Sequence, residues 1–111
     1  MNWTLEYLPE AEDDLKNLDG SVKAQVVKGI RKVLKNPLSK KEGGYGDPLG
    51  NRSNNDLTGL LKIKYLKIGI RVVYKTVIIP DKNIMKVIVI SARGDNEVYD
   101  LAGKRRTDNK L

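Results

Sequence analysis

The chain has 111 residues, 40% of them hydrophobic, and carries 21 Lys+Arg against 14 Asp+Glu for a net charge of +7. That length suits a single domain with one core, and the apolar content argues against a disordered chain. Cysteine and histidine are both absent. Their absence excludes disulfides, thiolate or imidazole metal sites and every histidine-dependent nucleophilic triad; no metal or cofactor is implied. Any acid–base chemistry must run on Lys, Arg, Tyr, Asp or Glu. The positive excess favours phosphate polymers, acidic proteins or anionic membranes as partners without choosing among them. No stretch has the apolar length to span a bilayer and none follows Met1, so the expected location is the cytoplasm, with no membrane partner.

Trp3 to Leu8 alternates apolar and polar residues, as a half-buried strand does. Pro9 stands where a helix can begin, with Glu10, Glu12 and Asp13 favourable in its first turn. Ala11, Leu15 and Leu18 recur at helical spacing until Asp19-Gly20 stops the run. Ser21 is placed to cap a second helix, in which Val22, Val26, Ile30 and Val33 form a stripe that Asn36-Pro37 ends. Two such helices make a hairpin whose apolar face requires a sheet. Residues 38–58, rich in Gly, Ser, Asn and Lys, read as a long exposed loop. Its glycines, in Gly43-Gly44-Tyr45-Gly46, lack the Gly-Lys-Ser/Thr of a phosphate-binding loop. Trp3 and Tyr45 read as core and loop residues.

From Gly59 the pattern is that of strands. Leu61, Ile63 and Tyr65 alternate with Lys62 and Lys64, and Ile70, Val72 and Tyr74 alternate with Arg71, Val73 and Lys75. A turn at Leu66 to Gly69 sets one register, with Tyr65 opposite Ile70, Lys64 opposite Arg71 and Lys62 opposite Val73. Leu61, Ile63, Tyr65, Ile70, Val72 and Tyr74 then share the side that packs on the helices. After a second turn at Pro80 to Asn83, Ile84 to Ala92 is apolar on both faces, which predicts a central strand. A short helix is predicted from about Asp95 to Lys104. The order is β-α-α-β-β-β with that short C-terminal helix. It predicts one α+β domain over residues 1–111, a helical hairpin packed on a largely antiparallel sheet.

This register gathers Lys62, Lys64 and Arg71 on one face, with Arg93 leaving the neighbouring strand and Tyr99 following. Alternating lysines are ordinary on a solvated sheet and discourage edge pairing. Like charges facing each other across strands, however, disfavour folding, and Lys64 opposite Arg71 is such a pair. A sheet that bears this cost commonly holds an anion between the two, and phosphate fits.

The stretches Leu61-Lys62-Ile63-Lys64, Gly69-Ile70-Arg71-Val72-Val73-Tyr74 and Ser91-Ala92-Arg93-Gly94-Asp95-Asn96-Glu97-Val98-Tyr99 resemble the RelE branch of the RelE/ParE toxin superfamily. Leu8-Pro9-Glu10-Ala11-Glu12-Asp13-Asp14-Leu15 and Lys35-Asn36-Pro37 are similar to that family too. The likeness leaves out residues 38–58 and the last few residues. It implies a toxin that cuts messenger RNA in the ribosomal decoding site, through attack of a ribose 2′-hydroxyl on the adjacent phosphate, with Lys62, Lys64, Arg71, Arg93 and Tyr99 as the catalytic set. In that chemistry Lys62, Arg71 and Arg93 neutralise a phosphorane dianion, Arg through paired hydrogen bonds. Lys64 or Tyr99 supplies the base, and neighbouring positive charge eases loss of a proton from an ammonium or a phenol. Tyr99 is equally suited to stacking on a nucleotide.

Lys62, Lys75, Lys104 and Arg105 are candidate RNA contacts, although a basic tail such as Lys104-Arg105-Arg106 also reads as simply solvated. The implied partners are messenger RNA, the ribosome and an acidic RelB-like antitoxin forming a hetero-oligomeric complex. The same fold accommodates a ParE-like gyrase poison, and a basic sheet alone suffices for a non-catalytic RNA- or ribosome-binding module.

Overall fold

A computed structural model describes residues 2–52 and 55–111. Along the chain run β1 (Trp3–Tyr7), α1 (Pro9–Lys16), α2 (Gly20–Leu34), a 3-10 turn (Lys40–Glu42), β2 (Asp47–Arg52), β3 (Asn55–Tyr65), β4 (Ile70–Ile79), β5 (Lys82–Ser91) and α3 (Asp95–Asp108). The strands make one five-stranded sheet in the order β1-β5-β4-β3-β2. β1 runs parallel to β5, and the other pairs are antiparallel hairpin neighbours. The fold is therefore α+β with a mixed, mainly antiparallel sheet. Among the described residues no helix is long and apolar enough to cross a membrane.

The helical hairpin forms where the apolar spacing places it, with two boundary corrections. α1 ends at Lys16, and Gly20 opens α2 instead of closing α1. Ser21 is not the cap. Asp19 holds the extended capping position, and Ser21 lies inside the helix with its hydroxyl donating to the Asp19 carboxylate at 2.7 Å. Val26, Ile30 and Val33 of α2 are buried in the core with Leu61, Ile70, Val72 and Tyr74 of the sheet. Tyr65 fastens the two layers: its hydroxyl donates to the Val26 carbonyl at 2.7 Å. Its ring lies so close to Gly29 that a Cβ there would come within 2.3 Å of the phenolic oxygen.

Residues 38–58 are not a long loop. They hold the 3-10 turn, all of β2 and the start of β3; residues 53 and 54 lie outside the described residues. Leu49 and Leu57 are buried there and join the core. The strand was hidden because β2 is an edge strand, where Pro48 and polar residues are tolerated, and because a register shift between Pro48 and Gly50 breaks its alternation. The preceding segment is pinned just as firmly. Asn36 and Leu38 carbonyls accept from Tyr45 and Gly46 at 3.0 Å each, and the buried Tyr74 hydroxyl donates to the Pro37 carbonyl at 2.8 Å.

The β3–β4 register is the predicted one: Tyr65 pairs with Ile70, Lys64 with Arg71 and Lys62 with Val73. β5, whose Ile84, Met85, Val87, Ile88, Val89 and Ile90 are all buried, lies between β1 and β4. The bulge at Ile88 falls just past the last β1–β5 pair, Tyr7 with Val87. Two side chains serve β5 beyond that point. Asp14 of α1 accepts the Ile90 N–H at 3.0 Å, and Arg105 of α3 donates to the Ile88 carbonyl at 2.9 Å and to Asp14 at 2.6 Å.

Candidate active site

The cationic sheet face is not left to solvent. Beside the cations it carries apolar Leu60, Val73 and Val89, which are fully buried, and α3 brings its own buried Val98, Tyr99 and Ala102 to this side. The helix is longer than predicted, reaching Asp108 instead of Lys104. Its course lays a different group against each cation in turn. At its start, Asp95 accepts from Arg71 Nε and lies 4.0 Å from the Lys64 ammonium. One turn on, the Lys62 ammonium stands 3.4 Å from the Tyr99 hydroxyl and 5.9 Å from the centre of its ring. At the far end, Lys75 donates to the carbonyl of Leu111.

Lys62, Lys64 and Arg71 are thus brought together, joined by Tyr99 and by a residue that sequence reasoning passed over. Asp95 sits between the two facing cations, where the repulsion argument calls for an anion. Burial on its own would raise the Asp95 carboxyl, but the hydrogen bond from Arg71 and the charges of Arg71, Lys64 and Lys62 hold it below the usual carboxylate range. A second acid, Glu97, lies 3.9 Å from Arg93. Arg93 joins the cluster through its backbone, whose carbonyl accepts from Arg71 at 3.1 Å. Its side chain points out, 64% exposed.

Two further placements differ from the sequence reading. Tyr99 is only 2% exposed, so in this arrangement its ring stacks on nothing outside the protein. Arg105, a candidate RNA contact in the sequence, is held by Asp14 and the Ile88 carbonyl. Lys104 is exposed on α3. A signal for a covering helix was present in the sequence: the register sets Leu60, Val73 and Val89 of three adjacent strands on the cationic face, an apolar group that favours a cover.

No family model matches the sequence, and no curated protein matches it either. Solved structures do. A doubly substituted variant of the Escherichia coli toxin RelE in the free state superposes with a TM-score of 0.69 at 27% identity, covering 95% of this chain and 98% of that one. The same toxin with a peptide of its antitoxin RelB gives 0.63 at 25% identity, over 92% and 95%. This chain belongs to the RelE/ParE toxin superfamily. A toxin–antitoxin complex of the RelBE type from Mycobacterium tuberculosis shares the fold, with a TM-score of 0.56 at 22% identity over 84% and 100%. Within this RelE/ParE toxin, the cationic cluster beneath α3 is the candidate site.

Proposed function

We propose that this toxin is a metal-independent endoribonuclease that cuts messenger RNA in the decoding site of the ribosome, leaving a 2′,3′-cyclic phosphate and a 5′-hydroxyl end. The observation that carries the reading is the facing pair Lys64 and Arg71, with the Asp95 carboxylate held between them. A carboxylate and a phosphate offer the same kind of charged oxygens, so the position that holds Asp95 suits a phosphate. Arg71 and Lys62 supply the positive charge that a phosphorane dianion needs. Of the two candidate bases, Lys64 is the accessible one, with 39% of its side chain exposed. Tyr99, buried at its own hydroxyl's contact with Lys62, positions that lysine. The outward Arg93, which meets Glu97 at 3.9 Å, would leave that contact to close on the leaving 5′-oxygen once RNA arrives.

The reading brings its partners with it. The complex of the RelE relative with an antitoxin peptide supports an antitoxin as the cognate partner, the net charge of +7 suits an acidic one, and action on ribosomes implies the cytoplasm. The test is incubation of the purified protein with translating ribosomes, followed by mapping of messenger ends. Wild type is expected to give 5′-hydroxyl cuts, and Arg71→Ala about 100-fold or more slower cutting, the usual loss when one transition-state donor is removed. Intact messenger with the wild-type protein overturns the proposal. Trapped, cleaved DNA in a gyrase assay would assign the protein to the gyrase poisons of the same fold.

A further inference from the structure

The net charge of the protein does not lie at the candidate site. Residues 20–41 contain seven Lys and Arg and no Asp or Glu. That segment accounts for the whole +7, and the rest of the chain is balanced at fourteen of each sign. The site cations belong to the balanced part, met by Asp95 and Glu97. The unbalanced part is α2 and the turn after it. Lys28, Arg31, Lys32 and Lys35 are all exposed, and none has a carboxylate within 4.0 Å among the described residues. Like charges three and four positions apart destabilise a helix, so α2 carries this row at a cost.

The row lines an open groove of about 630 Å³, which Tyr65, Gly29 and Gln25 complete. It continues past Arg31 and Lys35 into a second hollow of about 410 Å³ bordered by Trp3. Tyr65 reaches this groove from the sheet face opposite to that of Lys62 and Lys64, since neighbours along β3 point to opposite sides. The groove and the candidate site therefore lie on the two faces of the same sheet.

We propose that the α2 groove is a second RNA-binding site, which takes the phosphate backbone of a strand other than the one held at the candidate site. A cationic groove that tracks a backbone, with aromatic rings along it, is the construction that binds single-stranded RNA without reading its sequence. A docked protein helix needs apolar anchors. The apolar side chains at the groove, Tyr65, Trp3 and Leu34, are half-buried, and the large apolar residues that stand fully exposed among those described, Tyr45, Leu66, Ile78 and Ile79, lie elsewhere. The assignment rests on the reading of the toxin as one that acts on RNA, but its test involves no cleavage.

The experiment measures binding of a fluorescent, fully 2′-O-methylated RNA oligonucleotide, which lacks the attacking hydroxyl, over a range of salt concentrations. The variant Lys28→Gln/Arg31→Gln/Lys32→Gln/Lys35→Gln changes only exposed positions, and its helical content is checked by circular dichroism. Single-strand binding loses roughly 0.7 of a unit in the slope of log K against log salt for each phosphate contact removed. The variant is therefore expected to flatten the slope by about 3 and to weaken binding at least tenfold. An unchanged slope overturns the proposal. So does unchanged RNA binding with lost binding of polyglutamate, a result that assigns the groove to an acidic protein. Arg71→Ala run in parallel separates the two readings. If it abolishes messenger cutting while the α2 variant keeps its slope, the nuclease reading stands and the groove proposal falls. A flattened slope with no cutting by wild type means the reverse.

Discussion

Asp95 decides how the candidate site is held at rest. It bonds Arg71 and faces Lys64, and the register that sets those two opposite each other would be costly without it. Its carboxyl lies below the usual carboxylate range, with burial opposing and the Arg71 hydrogen bond and surrounding cations prevailing. A depressed value stabilises the folded contact above the ordinary carboxylate pKa of about 3.9 and loses that support as pH falls through the depressed value. At neutral pH the carboxylate is charged and occupies the place proposed for phosphate. Asp95→Asn removes the competing charge, which for a side chain 42% exposed amounts to about 1 kcal/mol or less. The expected result is binding of uncleavable RNA up to about fivefold tighter, read by fluorescence anisotropy. Weaker binding would mean that the carboxylate orients Arg71 for RNA instead of standing in its way. Lys62, Lys64 and Arg71 were legible in the sequence because a hairpin register is a local property. Asp95 was not, because only the packing of α3 brings it across.

At the scale of elements, the hairpin of β3 and β4 and the α1–α2 pair were legible from periodicity, and β2 was not. Periodicity reports burial on one face, and an edge strand with a bulge, a proline and glycine shows little of it. What anchors that region is backbone packing that no side-chain pattern encodes. At Gly44 an added Cβ would stand 2.1 Å from the Leu38 carbonyl oxygen and 2.9 Å from that of Asn36. Both obstacles are backbone atoms, and both segments are held by hydrogen bonds, so neither can give way. Gly44→Ala is expected to destabilise the protein by about 1–3 kcal/mol, as overpacking does. The check is the urea midpoint at constant m-value. Gly20→Ala is the control: it sits in the first turn of α2 with open space around its Cβ. A neutral or slightly stabilising result is expected there, since alanine costs the unfolded chain fewer conformations than glycine. Equal loss from both would show that the 36–46 segment is looser than its contacts indicate.

The whole molecule is a sheet with two unlike coverings. α3 meets the cations of one face with matched groups, and α2 covers the other face through apolar contacts while carrying the excess charge outward. Two tyrosines bind that second covering to the sheet, Tyr65 to the Val26 carbonyl and Tyr74 to the Pro37 carbonyl. Burial pushes the Tyr65 phenol up to about 12, with Tyr7 nearby adding to it, and burial pushes Tyr74 up as well. A raised phenol contributes stability that is complete below the ordinary value of about 10 and is lost as pH climbs through the folded value. Alkaline titration followed by near-ultraviolet absorbance should therefore show tyrosines that resist ionisation past pH of about 10 and then ionise as the fold opens. Tyr65→Phe keeps the ring against Gly29 but removes the bond to Val26. Its expected cost at neutral pH is about 0.5–1.5 kcal/mol, one hydrogen bond's net contribution. It should also make stability less dependent on pH between about 10 and 12, because the phenol that would have to ionise is gone. If Tyr65→Phe unfolds over the same alkaline range with the same steepness as wild type, the Val26 bond does not hold the layers, and apolar packing alone does.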